Sequence, residues 1–186
     1  MAAYVIVPGI GGSGDGHWQT LWQQDWGRDA LRITPGSWDR PDLHDWIRAI
    51  QQAVSGISPR SSAVIMVAHS LGCWAVAEWV RHVQQTTGQP IRVSALLVAP
   101  PDPRGPLFPA EAAPTFRELT PRPVPCRALV VASGNDPYCD TGTSRSLARG
   151  WNAQWHLAGD YGHINSASGV GDWTEGRELL AAFLGV

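Results

Sequence analysis

Short apolar runs recur along the chain, at Tyr4–Val7, Leu31–Ile33, Ala63–Ala68, Ser94–Ala99, Ala128–Ala132 and, more weakly, Ala153–Leu157. They read as strands buried on both faces, because apolar residues follow one another without alternation. Between them lie segments with apolar residues at three- and four-residue spacing: His17–Asp25, Leu43–Val54, Leu71–Gln84, Thr143–Trp151 and Trp173–Leu184. These read as helices, with Asp42 and Thr143 as N-caps. Buried strands that alternate with helices call for a mostly parallel sheet, since parallel neighbours need crossover connections. The expectation is an α/β fold with about six strands, helices on both faces and no large lid domain. At 186 residues the chain has room for one such domain, spanning positions 1–186. In a sheet of this kind ligands bind at the carboxyl ends of the strands.

The proline-dense segment at positions 100–125 breaks the rhythm and cannot be one long helix. It reads as a surface connection between two strands, with a small flap over the site as the alternative.

Charge narrows the function classes. The net charge of −2 comes from interspersed residues, so neither nucleic acid nor an acidic membrane surface is an implied partner. All 14 cationic side chains are Arg, and the absence of Lys excludes Schiff-base chemistry. The amino-terminal segment has no basic region ahead of a long apolar run, and no segment approaches membrane-spanning length. Cys73, Cys126 and Cys139 form neither a disulfide framework nor a metal site. A cytoplasmic location is therefore expected, with no metal and no organic cofactor. Cys73 and Cys126 read as core residues, and Cys139 as the thiol most open to modification.

Val64-Ile-Met-Val-Ala-His-Ser-Leu-Gly72 runs an apolar strand into a serine with small residues two before and two after it. This is the pattern of a nucleophile elbow, although Ala68 stands where glycine is usual. A serine hydroxyl needs a base to take its proton. Of six histidines, His163 follows the last strand in a glycine-bearing loop, whereas His44 and His82 lie within helices and His156 within a strand. His69 sits on the elbow itself and is expected to point away from the serine Oγ. The orienting acid belongs on the loop after the preceding strand, where Asp136 is preferred to Asp140; Asp102 and Asp160 are less well placed. The catalytic candidates are thus Ser70, Asp136 and His163, in the chain order of α/β-hydrolases.

The glycine loop Val7-Pro-Gly-Ile-Gly-Gly-Ser-Gly after the first strand lets backbone N–H groups approach a substrate. The expected oxyanion hole is made by the N–H groups of Ile10 and Leu71, with Gly9, His17 and Trp18 bordering the substrate. Phosphate binding is disfavoured, because neither Gly-Lys-Ser/Thr nor the dinucleotide spacing is present. Trp18, Trp22 and Trp26, four apart, are also a packing stripe.

Pro8-Gly-Ile-Gly-Gly, Gly16-His-Trp-Gln, Trp38-Asp-Arg-Pro-Asp, Ala68-His-Ser-Leu-Gly, Asn135-Asp-Pro-Tyr-Cys, Gly162-His-Ile-Asn and Gly171-Asp-Trp together resemble the small serine hydrolases of the retinoblastoma-binding protein 9 and YdeN family. The resemblance spans nearly the whole chain. It implies a compact α/β-hydrolase with a Ser-Asp-His triad, mapping onto Ser70, Asp136 and His163. The expected activity is carboxylesterase-like hydrolysis of a small ester, amide or thioester through an acyl-enzyme. The alternatives are an acyltransferase using the same intermediate and a module that keeps the fold to bind a protein partner.

Overall fold

The computed structural model describes residues 2–58, 61, 63–87 and 92–186. Six strands, β1 (Ala2–Val7), β2 (Ala30–Arg32), β3 (Ala63–His69), β4 (Val93–Val98), β5 (Arg127–Ala132) and β6 (Gln154–Leu157), form one sheet in the order β2-β1-β3-β4-β5-β6. Every neighbouring pair is parallel. The helices are α1 (Trp18–Trp26), α2 (Leu43–Ser55), α3 (Leu71–Thr87), α4 (Thr141–Trp151) and α5 (Thr174–Leu184). Each expected strand and helix is present, with no end displaced by more than three residues.

Strand residues alternate between two cores. Val5, Val7, Met66 and Ala68 pack with Trp46 of α2, Trp74 and Trp79 of α3 and Trp151 of α4. Ile6, Ile65, Val67 and Leu96 pack on the opposite face with Trp18 and Trp22 of α1 and Phe183 of α5. Indoles are large apolar fillers with one donor that needs an acceptor, and here four of the donors reach loop backbones. Trp18 donates to Ile164 O at 2.8 Å, Trp22 to Asp172 O at 2.6 Å, Trp46 to Ser37 O at 3.2 Å and Trp74 to Pro101 O at 2.9 Å. These four tryptophans therefore both fill the cores and hold loops.

Two sequence expectations are corrected. The N-cap of α4 is Asp140, whose Oδ1 accepts the Thr143 N–H at 2.9 Å and whose Oδ2 accepts the Thr143 hydroxyl at 2.8 Å. Thr143 is the residue being capped, one turn inside. Residues 100–125 are more than a surface connection, because Phe108, Ala113, Phe116 and Val124 are buried in the core shared by α2, α3 and α4. The Phe116 ring meets Trp46 edge-on at 5.7 Å, and Thr115 Oγ1 accepts the Leu43 N–H at 2.9 Å. Prolines exclude a long helix but not burial of the apolar residues between them.

The strand order reverses at β1, with β2 on one side and β3 on the other. Crevices form at the carboxyl ends of strands at such a reversal. Register pairs Val7 with Ala68, which brings the glycine loop after β1 alongside the elbow after β3.

Candidate active site

Ser70 follows β3 directly and has φ +54°, a left-handed conformation uncommon for a side chain other than glycine. Its N–H is held by Val98 O at 2.9 Å, and α3 starts at the next residue. The turn is tight against β1: a Cβ on Gly72 would lie 2.3 Å from Val7 O and 2.5 Å from Pro8 O. Glycine is therefore required at position 72. Ala68 needs no such clearance, since its methyl is fully buried in the core.

The structure brings Ser70, His163 and Asp136 together. The Ser70 hydroxyl lies 2.9 Å from His163 Nε2, and His163 Nδ1 lies 3.0 Å from both Asp136 oxygens. With the proton on Nδ1 donated to the carboxylate, Nε2 is free to accept from the serine. Asp136 is buried, and its Oδ1 also accepts the Tyr138 N–H at 2.9 Å. The Tyr138 ring lies against the imidazole, with centroids 4.5 Å apart.

The loops carrying Asp136 and His163 are joined by side chains that sequence reasoning did not single out. Ser133 Oγ accepts the Tyr161 N–H at 2.8 Å, and Asn135 Oδ1 accepts the Gly162 N–H at 2.6 Å. His69, on the elbow, donates from its buried Nε2 to the His163 carbonyl at 2.8 Å, and its ring is part of the cavity lining around Ser70. Trp18 holds the next carbonyl, that of Ile164, which has φ +47°. His163 is thus fixed through its own backbone from the elbow and from α1. Trp18 is fully buried and does not line the cavity, so its expected contact with substrate is replaced by this bracing role.

A cavity of about 560 Å³ opens over Ser70 and includes Gly9, Ile10, His17, Leu71 and His163 in its lining. A Cβ on Gly9 would sit 2.7 Å from Ser70 Cβ, so the loop passes Ser70 as closely as glycine allows. No loop or turn acceptor among the described residues takes up the N–H of Ile10 or Leu71. The Leu71 N–H also lies at the amino end of α3, where the helix dipole favours negative charge. Arg32 braces the far side of the glycine loop, donating to Ser13 O at 2.9 Å and Thr20 Oγ1 at 2.7 Å.

His17 is the N-cap of α1: its Nδ1 accepts the Gln19 N–H at 3.2 Å. That requires a neutral ring, and burial first, then the nearby Arg32 and His163 charges, lowers its pKa to about 4. Burial likewise holds His69 well below the usual imidazole range. Asp140 is committed to capping α4, and Asp102 to the Arg104 N–H at 2.9 Å. Cys139 is not open to modification as expected: it is buried, and burial together with the Asp136, Asp102 and Asp140 charges pushes its thiol up to about 12. Among the described residues no cluster of His, Cys, Asp or Glu is arranged to hold a metal ion, and no helix is long and apolar enough to cross a membrane.

A serine, a histidine and a buried carboxylate in series, beside free backbone N–H groups, is the arrangement used for acyl transfer. Comparison agrees, since the serine hydrolase family model matches residues 4–182. The chain belongs to the serine hydrolase family. This hydrolase is similar over 98% of its length to a YdeN-like hydrolase from Pectobacterium atrosepticum, at 30% identity and a TM-score of 0.81, covering 90% of that chain. The ydeN gene product of Bacillus subtilis shares its fold, at 18% identity and a TM-score of 0.70, with 100% of this chain and 99% of that one covered. Est1E from Butyrivibrio proteoclasticus, solved with ferulic acid bound, matches at 11% identity and a TM-score of 0.71, with 100% and 90% covered. No curated protein matches the sequence.

Proposed function

We propose that this hydrolase cleaves a small ester, amide or thioester through an acyl-enzyme on Ser70. The observation that carries the reading is the unbroken path from the Ser70 hydroxyl through His163 to the buried Asp136. His163 Nε2 takes the serine proton as Oγ attacks the carbonyl carbon, and Asp136 stabilises the resulting imidazolium. The backbone N–H groups of Ile10 and Leu71 receive the oxyanion; loss of one such donor typically costs about 10²–10³ in rate. The protonated imidazole then gives its proton to the leaving alcohol, amine or thiol. Water, deprotonated by His163, attacks the acyl carbon and releases the acid, restoring Ser70. Gly9 and His17 border the substrate in this scheme. Est1E, solved with ferulic acid bound, supports a small carboxylic ester as substrate through fold likeness alone.

The test is a panel of p-nitrophenyl esters, anilides and thioesters assayed with the native protein and Ser70→Ala. Turnover of at least one class, lost in the variant, supports the reading; equal turnover by both proteins overturns it. Adding alcohols or amines to the same assay separates hydrolysis from transfer, since a transferase would form new esters or amides.

A further inference from the structure

The catalytic cavity carries no fixed charge. Among the described residues, no Arg, Asp or Glu contributes to its lining, and the chain has no Lys. Two of its histidines, His17 and His69, are held neutral by burial. The wall contributed by residues 100–125 is apolar, made of Pro101, Leu107 and Pro109. Ile10 and Leu107 are 38% and 56% exposed, two of the four large hydrophobic side chains left open to solvent among the described residues, and both lie in this lining. Apolar side chains left open at the border of a site gain when an apolar ligand group covers them. A carboxylate or phosphate brought to the same place would lose water and find no cation.

We propose that the cavity selects uncharged esters with a compact apolar acyl group lying against Leu107, Pro109 and Ile10, and rejects esters whose acyl group ends in a carboxylate. The selectivity rests on Ser70 being the acylated residue, so the experiment reads the two claims separately.

p-Nitrophenyl butyrate and p-nitrophenyl hemisuccinate share a leaving group and a four-carbon acyl chain, and differ in a terminal methyl against a carboxylate. The native protein is expected to hydrolyse the butyrate with kcat/KM about 30-fold or more above the hemisuccinate, the cost of stranding a charge without a partner. Leu107→Arg is expected to narrow that ratio at least about tenfold by raising the rate on the hemisuccinate. Its exposed position lets the longer side chain be accommodated. Acyl-enzyme at Ser70, trapped by acid quench and located by peptide mass, is the parallel readout. Acylation at Ser70 with equal or reversed ester preference overturns the selectivity and leaves the nucleophile in place. An unchanged ratio in Leu107→Arg assigns the preference to something other than this wall and also overturns it. Turnover without acylation at Ser70 overturns both.

Discussion

Ala68 stands where nucleophile elbows usually carry glycine, and its surroundings account for the methyl. The side chain is fully buried beneath the turn, whereas the backbone of β1 presses on position 72 from the other side. Restoring glycine removes a packed methyl and loosens a strand, so Ala68→Gly is expected to destabilise the protein by about 1 kcal/mol without raising kcat. Urea denaturation and ester kinetics check the two halves. His69, the next residue, ties the elbow to the base through the His163 carbonyl. His69→Ala is expected to lower kcat about 10- to 100-fold at nearly constant KM, because misplacing a catalytic group costs rate before it costs binding. His69→Gln, which keeps an N–H donor, should recover most of the loss. Equal kcat in all three proteins, measured well below their melting temperatures, would leave His69 a packing residue.

Among the helices, α1 has an unusual N-cap, because a histidine can serve only while neutral. An unfolded His17 titrates near the ordinary 6.5, but in the folded protein its pKa is about 4. Between those values the unfolded chain binds the proton that the folded chain refuses, so stability falls as pH drops through this window. A shift of that size corresponds to about 3 kcal/mol, and His69 adds to the slope in the same direction. His17→Asn keeps a capping side chain but not the titration; its melting temperature should fall less between pH 6.5 and 4 than that of the native protein. Parallel melting curves would contradict the assignment. The elements themselves were legible because strands covered on both faces show continuous apolar runs. β6 was faint because it lies at the sheet edge, with its first and last residues exposed. The start of α4 was misread because Asp140 and Thr143 both cap well, and only coordinates show which one accepts the other's N–H. Buried residues of the segment 100–125 were hidden by prolines that signal irregular backbone and say nothing of depth.

At the scale of the whole molecule, function follows from where the sheet reverses. The glycine loop and the elbow are neighbours because β1 and β3 are, and loops after β5 and β6 bring Asp136 and His163 to the same edge. Chain order and strand ends were enough to nominate Ser70, Asp136 and His163. The clasp between Asn135 and Gly162, the Arg32 brace and the role of Trp18 depend on contacts between distant loops, which no local pattern encodes. A cavity of about 560 Å³ without a separate lid domain fits a compact acyl group. Extending p-nitrophenyl esters from butyrate to palmitate is expected to lower kcat/KM by about tenfold or more; a steep rise with chain length would contradict this reading of the cavity. The central claim is that Ser70 is an activated nucleophile. Its most direct measurement is intact and peptide mass after treatment with a fluorophosphonate: one adduct, on Ser70 and absent from Ser70→Ala, is predicted. Folded protein that takes up no label, or takes it up at another residue, would contradict the account.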